Sequence, residues 1–369
     1  MAILRPLKLY RSYSYIPKSN ICFSELTGIR VLSHNEFQPV HRTAPQTVGN
    51  NLYWKFKRLL NDTPQETFVV EAKGWRVWGN QGAVITDNGY LLKDVSREFE
   101  KPYHSIFKQF KLVPPVVVKG TSAVITASGA DMYYHWMFDI LPRIKLLMDC
   151  GEFESVDHFI LDYRDISFQK EALDLLKIDL SKISRANDHF NYHTVAERLL
   201  VPSLPSKLDV VSANACRFLI NTFLDKKAAS KSGNKIYLKR TGKRKIINSI
   251  EIESYLESLG FESVQCEDYS VAGQASLFHH ADIIVGPHGA AFTNIVFCKP
   301  GTRVIEFFSP RWINPCYWTI SNEVSLNYYY LVGEGAPPDE FSDATGTNED
   351  IELDMAKLKK LFDQFPILN

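Results

Sequence analysis

The alternation of hydrophobic and polar positions changes character near residue 115. Before that point, short β-branched and aromatic runs at 67–71 and 75–78 are separated by glycine-containing turns, a pattern typical of short strands. After residue 115, apolar runs alternate with segments of helical periodicity. This alternation predicts a parallel sheet covered by helices. Residues 1–115 are therefore predicted to form a β-rich lead-in to an α/β protein.

The α/β alternation occurs twice along the chain. The first series ends in a helix predicted over 211–227, and a polar joint at 229–234 follows it. Such joints are typical of domain boundaries. We therefore predict an amino-terminal domain over 1–210 and a Rossmann-like carboxy-terminal domain over 211–350. The terminal segment 351–369 contains an amphipathic helix that is expected to pack back on the amino-terminal domain.

The second series is the more regular one. Asn248 is predicted to cap its first helix, with Glu251 at the capping-box position. A loop is predicted over the acidic stretch 334–354. The predicted strands and helices of this series, in chain order, are KIYLKR, helix 249–259, FESVQCE, helix 270–280, DIIVG, a helix from about 289, and RVIEFF.

Charge and cysteine content exclude several classes of protein. The 42 basic and 42 acidic residues cancel, so no overall field attracts the chain to nucleic acid. There is no signal-peptide pattern and no run of about 20 apolar residues. A cytoplasmic protein is expected, with contact at the inner membrane face left open and the oligomeric state undetermined. The cysteines are too widely spaced for a zinc or redox motif and are expected to be reduced: Cys22, Cys150, Cys216, Cys266, Cys298 and Cys316.

The most informative motif is a Gly-Pro-His-Gly turn within DIIVGPHGAAFTN, residues 282–294. Small residues open the helix that follows, so an anion such as a diphosphate can approach the free backbone N–H groups. The histidine lies at the carboxyl end of a strand, where open sheets bind ligands. A tight turn without a ligand remains the alternative. The candidate ligand-binding residues here are His288, Gly289, Ala290, Ala291 and Asn294.

Charged residues on either side of this motif extend the candidate site. Glu306 lies in the apolar strand RVIEFF, where a carboxylate is costly unless it is paired. It is expected either to pair with a structural arginine or lysine or to accept hydrogen bonds from ribose hydroxyls. Seven basic residues and no acidic residue lie between Lys231 and Lys245. Arg240 and Arg244 in this run are predicted to neutralise a diphosphate, although a solvated face and nucleic-acid binding are alternatives.

A second cluster lies in the first domain, in the sequence YYHWMFD. His135 and Asp139 are four residues apart, which places them on one face if the segment is helical, with Arg143 one turn further on. Pro142 disfavours a continuous helix because it lacks an N–H. The helix is therefore predicted either to include both residues or to begin at Pro142, leaving them in a turn.

Together these motifs resemble glycosyltransferase family 61, which includes capsular-polysaccharide biosynthesis proteins and eukaryotic xylosyl- and N-acetylglucosaminyltransferases. The resemblance implies a GT-B-like fold, with two Rossmann-like domains facing an interdomain cleft, and inverting transfer without a metal cofactor. It is carried by His135-Trp136-x-x-Asp139 with Leu141-Pro142-Arg143, by Arg240-x-x-x-Arg244-x-x-x-Asn248, and by the run from Gly286 through Asn294 to Glu306.

The resemblance implies transfer from a nucleotide-sugar, with a UDP-sugar expected, to a glycan or lipid-linked glycan in surface or capsular polysaccharide synthesis. Asp139 is expected to be the catalytic base, with His135 as its alternative or its partner. Arg240, Arg244 and the backbone of 289–291 would hold the phosphates. His288 and Asn294 would contact the donor, and Glu306 the ribose. A sugar-nucleotide epimerase and a non-catalytic glycan- or nucleotide-binding protein are the alternatives.

Overall fold

A computed structural model describes residues 15–49, 52–99, 103–187, 192–225, 234–336, 348–365 and 367–368. The strands are β1 (Asn20–Ile21), β2 (Arg30–Asn35), β3 (Val40–His41), β4 (Asn61–Asp62), β5 (Thr67–Ala72), β6 (Arg76–Trp78), β7 (Ala83–Ile85), β8 (Leu91–Leu92), β9 (Val116–Val124), β10 (His158–Leu161), β11 (Ile183–Arg185), β12 (His193–Pro202), β13 (Lys235–Leu238), β14 (Glu262–Val264), β15 (Ile283–Pro287), β16 (Arg303–Phe308) and β17 (Asn327–Val332).

The longer helices are mostly α-helical. Helix α2 spans 133–149 and contains a π-helical turn at Trp136–Ile140. The helix predicted from about 289 is a 3-10 helix, Ala290–Phe297. The other α-helices are α1 (Trp54–Leu59), α3 (Ser167–Leu175), α4 (Ala213–Phe223), α5 (Ser249–Ser258), α6 (Val271–His280), α7 (Cys316–Glu323) and α8 (Met355–Gln364).

The chain forms two compact units. Unit 1 comprises the described residues of Met1–Phe37 and Gln65–Ser206, and unit 2 those of Gln38–Pro64 and Lys207–Asn369. The predicted domains differ from these units because residues 38–64, assigned from the sequence to the first domain, belong to unit 2.

The sheet of unit 1 is mixed rather than parallel throughout. Its central strand is β12, which is ten residues long. One edge of β12 pairs in parallel with β9, and β10 and β11 continue that parallel part. The other edge pairs antiparallel with β6 near its start and with β5 near its end. The predicted lead-in is therefore not a separate layer, because most of its strands complete the same sheet, whereas β3 and β4 pair with each other.

Unit 2 contains a five-stranded, fully parallel sheet in the order β14-β13-β15-β16-β17. This is a doubly wound α/β sheet, and the direction of winding reverses between β13 and β15. Ligands of such sheets bind at the carboxyl ends of the strands beside that reversal. The α/β fold predicted for the second half is confirmed in this unit.

The carboxy-terminal segment closes the core of unit 2. Leu358, Leu361 and Phe362 of α8 are buried in the same cluster as Ile252 and Leu256 of α5. The expectation that α8 packs on the amino-terminal domain is therefore wrong, because the apolar face of α8 is buried in the core of unit 2.

Asn248 fastens the same segment rather than capping α5. Its Nδ2 donates to the Leu353 carbonyl at 2.8 Å, and its Oδ1 accepts from the Leu353 N–H at 3.1 Å. No side-chain cap is formed at the start of α5. The amide thus ties the loop that carries Arg244 to the end of the chain.

Some predicted features lie outside the described residues. These are residues 229–233 of the polar joint, with Lys231, and residues 337–347 of the acidic loop. All six cysteines are within the described part and are unpaired. Among the described helices, none combines the length and the apolar character needed to cross a membrane.

Candidate functional site

The candidate donor site of unit 2 lies at the winding reversal of the sheet. Gly286 lets β13 and β15 approach closely, because a Cβ there would lie 2.8 Å from Leu238 Cβ and 2.9 Å from its carbonyl oxygen. Arg240 follows β13 and lies against Gly289, where a Cβ would come within 3.0 Å of the guanidinium carbon. The structure thus brings together the Gly-Pro-His-Gly turn and the basic run.

Arg240 and Arg244 form a cationic pair without a carboxylate partner. Arg240 donates through Nε to the Lys243 carbonyl, and Arg244 has a left-handed backbone with φ of 61°. The Arg244 Nε is buried and has no hydrogen-bond partner. Within the described ranges, neither guanidinium forms an ion pair. Burial, and then the charge of Arg244, lower the pKa of Arg240. This arrangement is suited to an anion that neutralises both side chains.

A buried hydrogen-bond chain lies beside these arginines. His288 Nδ1 is hydrogen bonded to Glu306, which is fully buried, and the Tyr328 hydroxyl donates to the other oxygen of the same carboxyl group. Burial raises the pKa of Glu306 well above its usual value. Burial, together with the charges of Arg244 and Arg240, lowers the pKa of His288 well below its usual value. A neutral imidazole is therefore favoured, and Nδ1 is the nitrogen that Glu306 engages.

This chain of hydrogen bonds changes the role expected for Glu306. Both of its oxygens are already engaged, so ribose hydroxyls have no access to the carboxyl group. It holds the His288 ring, which also packs against Phe308 and Tyr317 at centroid distances of 5.3 and 5.1 Å. Of the two roles expected for Glu306, pairing with a side chain of the protein is closer to the structure than contact with ribose hydroxyls. The partner is a histidine, however, and not an arginine or lysine.

Asn294 is also placed behind the site and not in it. It is fully buried, and its Nδ2 donates to Gln274 Oε1 at 2.6 Å and to the Ala291 carbonyl at 3.1 Å. It therefore braces the 3-10 helix against α6. Ala290 is exposed and Ala291 is half-buried, so the start of the 3-10 helix remains accessible.

In unit 1, His135 and Asp139 lie one helical turn apart in α2. Both lie in a continuous helix, so the alternative of a helix beginning at Pro142 is wrong. The Leu141 N–H donates to the Trp136 carbonyl, five residues back. This wider turn accommodates Pro142, which has no N–H of its own to donate. His135 Nδ1 lies 2.7 Å from Asp139 Oδ2.

Asp139 is held as an anion by two partners. Arg97 Nη2 donates to its Oδ1 at 3.1 Å, and His135 bonds to its Oδ2. Burial alone would raise the pKa of Asp139, but the charge of Arg97 and the hydrogen bond from His135 outweigh burial and lower it. Arg97 was missed in the sequence because it lies 42 residues away, in the lead-in, where nothing marks it.

The His135 ring is fixed in its orientation. Gly129 has a left-handed φ of 79°, and a Cβ there would lie 2.7 Å from the His135 Cδ2. Phe99 packs on the ring at a centroid distance of 4.6 Å. Since Nδ1 faces Asp139, the proton on that nitrogen leaves Nε2 as an acceptor. In the part of the chain that the structure describes, Nε2 has no hydrogen-bond partner.

Both clusters lie within a stretch of the chain that matches a known enzyme family. Residues 133–305 match the family model Glycosyltransferase 61. The matched range covers a little under half of the 369 residues and contains both His135–Asp139 and the arginine pair. The family resemblance is thereby confirmed, and it indicates a glycosyltransferase. A search of curated proteins found no match.

The family match favours neither the epimerase nor the non-catalytic alternative. The matched range includes Arg143, which the sequence predicts to lie one turn beyond His135 and Asp139 on the same helical face. In the structure this side chain is fully buried and donates to the carbonyls of Thr126 at 2.5 Å and Pro202 at 2.7 Å. Burial lowers its pKa to about 9. The arginine of the family motif therefore joins two strand ends and does not face a ligand.

Potential metal ligands converge elsewhere. Among the described residues, one group brings three such atoms within 4.8 Å of one another, and it consists of His34, Glu36 and Glu66. The group is mostly exposed and includes no residue of the glycosyltransferase motifs.

Proposed function

We propose that the protein is an inverting glycosyltransferase that moves a sugar from a nucleoside-diphosphate sugar to a hydroxyl of a glycan or lipid-linked glycan. UDP-sugars are the first donors to test, and a growing surface polysaccharide is the acceptor that we favour. The family match supports the reaction class. A GT-B-like arrangement of the two units is part of the same proposal.

The observation that carries the proposal is the unpaired arginine pair beside the sheet reversal of unit 2. Two guanidinium groups that are half-buried and have no carboxylate partner are costly unless an anion is their normal partner. A diphosphate has the charge and the geometry to accept hydrogen bonds from both. In inverting transfer, the bond between the sugar C1 and the phosphate oxygen breaks, and the departing diphosphate gains charge. Arg240 and Arg244 would stabilise that charge, so we expect activity in the presence of EDTA.

We assign the base to His135 and give Asp139 the role of holding it. The pKa of Asp139 is lowered and both its oxygens are engaged, so it is a poor proton acceptor. The free Nε2 of His135 would take the proton of the acceptor hydroxyl as that oxygen attacks C1. Asp139 would then stabilise the resulting imidazolium, as an orienting carboxylate does in other histidine bases.

Glu306 and Asn294 are positioning residues in this proposal. Glu306 fixes the neutral tautomer of His288, and Asn294 braces the helix start at Ala290. Direct contact with the donor falls to His288 Nε2, to the two arginines and to the backbone of 289–291.

The first experiment measures nucleotide binding in EDTA by thermal shift and calorimetry. Binding of one class among UDP-, GDP-, dTDP- and CMP-sugars is expected. Arg244→Ala should weaken that binding about tenfold to a hundredfold. Lys243→Ala is the matched control, because it removes an exposed charge from the same loop. Equal binding by both variants, or no binding of any nucleotide-sugar, would reject the donor site.

The second experiment separates chemistry from binding. Asp139→Asn should abolish transfer and leave the donor dissociation constant unchanged, because the amide favours the wrong tautomer of His135. Incubation of the wild-type protein with donor alone should yield no epimer. Normal turnover by Asp139→Asn would remove this pair from the mechanism.

A further inference from the structure

Exposed apolar side chains of unit 1 are concentrated in one short segment, 103–119. Their exposed fractions lie between 37% and 78%, far above those of core residues. The segment runs from the 3-10 turn Ser105–Lys108 into the first residues of β9. Its exposed large apolar residues are Tyr103, Phe110, Val113, Val116 and Val117.

The same segment is basic. Lys108, Lys111 and Lys119 are exposed, and no aspartate or glutamate occurs between residues 103 and 119. The carboxylates at its far end, Asp157 and Glu197, accept hydrogen bonds from the backbone N–H groups of Thr121 and Gly120. The segment therefore combines apolar side chains with positive charge that has no carboxylate inside the segment to neutralise it.

The backbone of the segment is fixed by contacts on its inner side. Ile106 and Leu112 are buried in a core cluster with Ile85 and Leu91. The Val113 carbonyl accepts from His193 Nδ1 at 2.6 Å, and the Val116 carbonyl from the Thr194 hydroxyl at 3.0 Å. Because the backbone is already ordered, little entropy is lost when the outward side chains bind a partner.

We propose that segment 103–119 is a docking surface for the anionic headgroup region of a lipid bilayer. Aromatic and aliphatic side chains enter the headgroup boundary, and lysines beside them are attracted to anionic lipids. A symmetric contact with a second copy would place lysines opposite lysines, with no carboxylate in the segment to pair with them, and is disfavoured. This inference does not depend on the proposed transfer reaction.

Co-sedimentation of the full chain with vesicles tests the proposal without any sugar substrate. Vesicles of phosphatidylcholine with phosphatidylglycerol should bind the protein, and those of phosphatidylcholine alone should bind it weakly. The double change Phe110→Ser with Val117→Ser should reduce binding about tenfold or more. The double change Lys108→Gln with Lys111→Gln should weaken vesicle binding about fivefold per lysine, and only on anionic vesicles.

Ile250→Ser is the matched control. Ile250 is the most exposed large apolar residue of the described chain at 84%, and it lies in unit 2. All variants should keep the thermal midpoint of the wild type, since the changed side chains are exposed. Failure of the wild type to bind anionic vesicles would overturn the proposal, as would equal binding by the serine double variant and the control. A dimer in vesicle-free solution that dissociates on Val117→Ser would assign the surface to a second copy instead.

Discussion

Burial and charge decide the protonation of the pair formed by His288 and Glu306. In the unfolded chain these groups have ordinary pKa values of 6.5 and 4.5. In the folded chain the pKa of His288 is lowered and that of Glu306 is raised. Between pH 4.5 and 6.5 the two shifts therefore act in opposite directions on the pH dependence of stability, because folding favours the proton on Glu306 and disfavours the proton on His288.

Each of the two shifts lowers stability in one direction of pH. The raised pKa of Glu306 lowers stability as pH rises above 4.5, because the folded state binds that proton more tightly than the unfolded state does. The lowered pKa of His288 lowers stability as pH falls below 6.5, because the unfolded state binds that proton more tightly than the folded state does. These signs follow from the difference in bound protons between the two states.

Glu306→Gln should remove the contribution of the carboxyl group to the pH dependence of stability and leave the contribution of His288. Relative to the variant, the wild type is expected to lose stability as pH rises above 4.5, by up to about 1.4 kcal/mol per pH unit. Denaturant unfolding of both proteins from pH 5 to about pH 8 measures this difference. Parallel stability curves would show that Glu306 is ionised in the folded state.

At the level of single residues, unusual chemistry could be found in the sequence but its partners could not. His288 and Glu306 were conspicuous because polar groups in apolar strands require an explanation. Tyr328 and Arg97 were missed because the contacts that define them join residues 22 and 42 positions apart. Nothing in a local pattern reports such contacts.

Gly286 and Gly289 lie in one turn, but we expect Gly286 to matter for stability and Gly289 for donor binding. Gly286→Ala places a Cβ against the backbone of Leu238, which cannot move without separating two strands, so it should destabilise the protein by about 1–3 kcal/mol. Gly289→Ala meets the end of the flexible Arg240 side chain, and its φ of 175° suits any residue.

Gly289→Ala should therefore leave stability unchanged and weaken donor binding, because Arg240 must move aside. Denaturant unfolding and calorimetry with the donor, performed on both variants, make the comparison. Undiminished binding by Gly289→Ala would show that the position of Arg240 is not critical.

The π-helical turn of α2 is the second feature at the scale of a single element for which we expect a specific effect of substitution. Pro142→Ala restores the N–H that a regular α-helix needs, so the turn should tighten and rotate His135 relative to Asp139. Turnover should fall at least about tenfold, whereas the thermal midpoint should not fall, since an interior proline is unfavourable in a helix.

Steady-state kinetics with donor and acceptor, together with thermal unfolding, check this expectation. Pro114→Ala is the control, because it makes the same change at an exposed position outside any helix or strand. Normal turnover in Pro142→Ala would mean that tertiary contacts, and not the proline, maintain the wide turn.

Secondary structure was largely accessible from periodicity. The helices predicted over 249–259 and 270–280 occur as Ser249–Ser258 and Val271–His280. The π turn could not be read, because the pattern of apolar residues is nearly the same for a helix with one extra residue in a turn. The predicted side-chain cap of α5 was wrong because the Asn248 side chain forms a tertiary contact, bonding to Leu353 instead.

Closure of unit 2 by its terminal helix is a property of the whole chain. Leu361 is fully buried in the cluster that includes Ile252 and Leu256, so Leu361→Ala should cost about 2–5 kcal/mol. Lys360→Ala, at an exposed neighbouring position, should change stability by less than about 0.5 kcal/mol. Denaturant unfolding measures both, and equal midpoints would contradict the packing described here.

Chain topology at this level was the least predictable part. The sequence distinguished a β-rich beginning from an α/β remainder, yet β5 and β6 pair with β12, which lies more than 100 residues later. Residues 38–64 cross into unit 2 for the same kind of reason. Pairing partners at such separations are selected by the packing of the whole unit and not by local propensity.

The position of residues 38–64 in unit 2 has a consequence for how the chain folds during synthesis. Gln46 forms backbone hydrogen bonds with Tyr328 and Tyr330, and the Thr47 hydroxyl bonds to the Tyr330 carbonyl 283 residues away. A ribosome that adds about 5–20 residues per second needs roughly 15–60 s to supply that partner. Throughout that time Gln46 and Thr47 lack the strand with which they pair in the folded chain, although β3 can already pair with β4. Unit 2 must therefore be completed after nearly the whole chain has emerged, whereas unit 1 can assemble from residues made earlier.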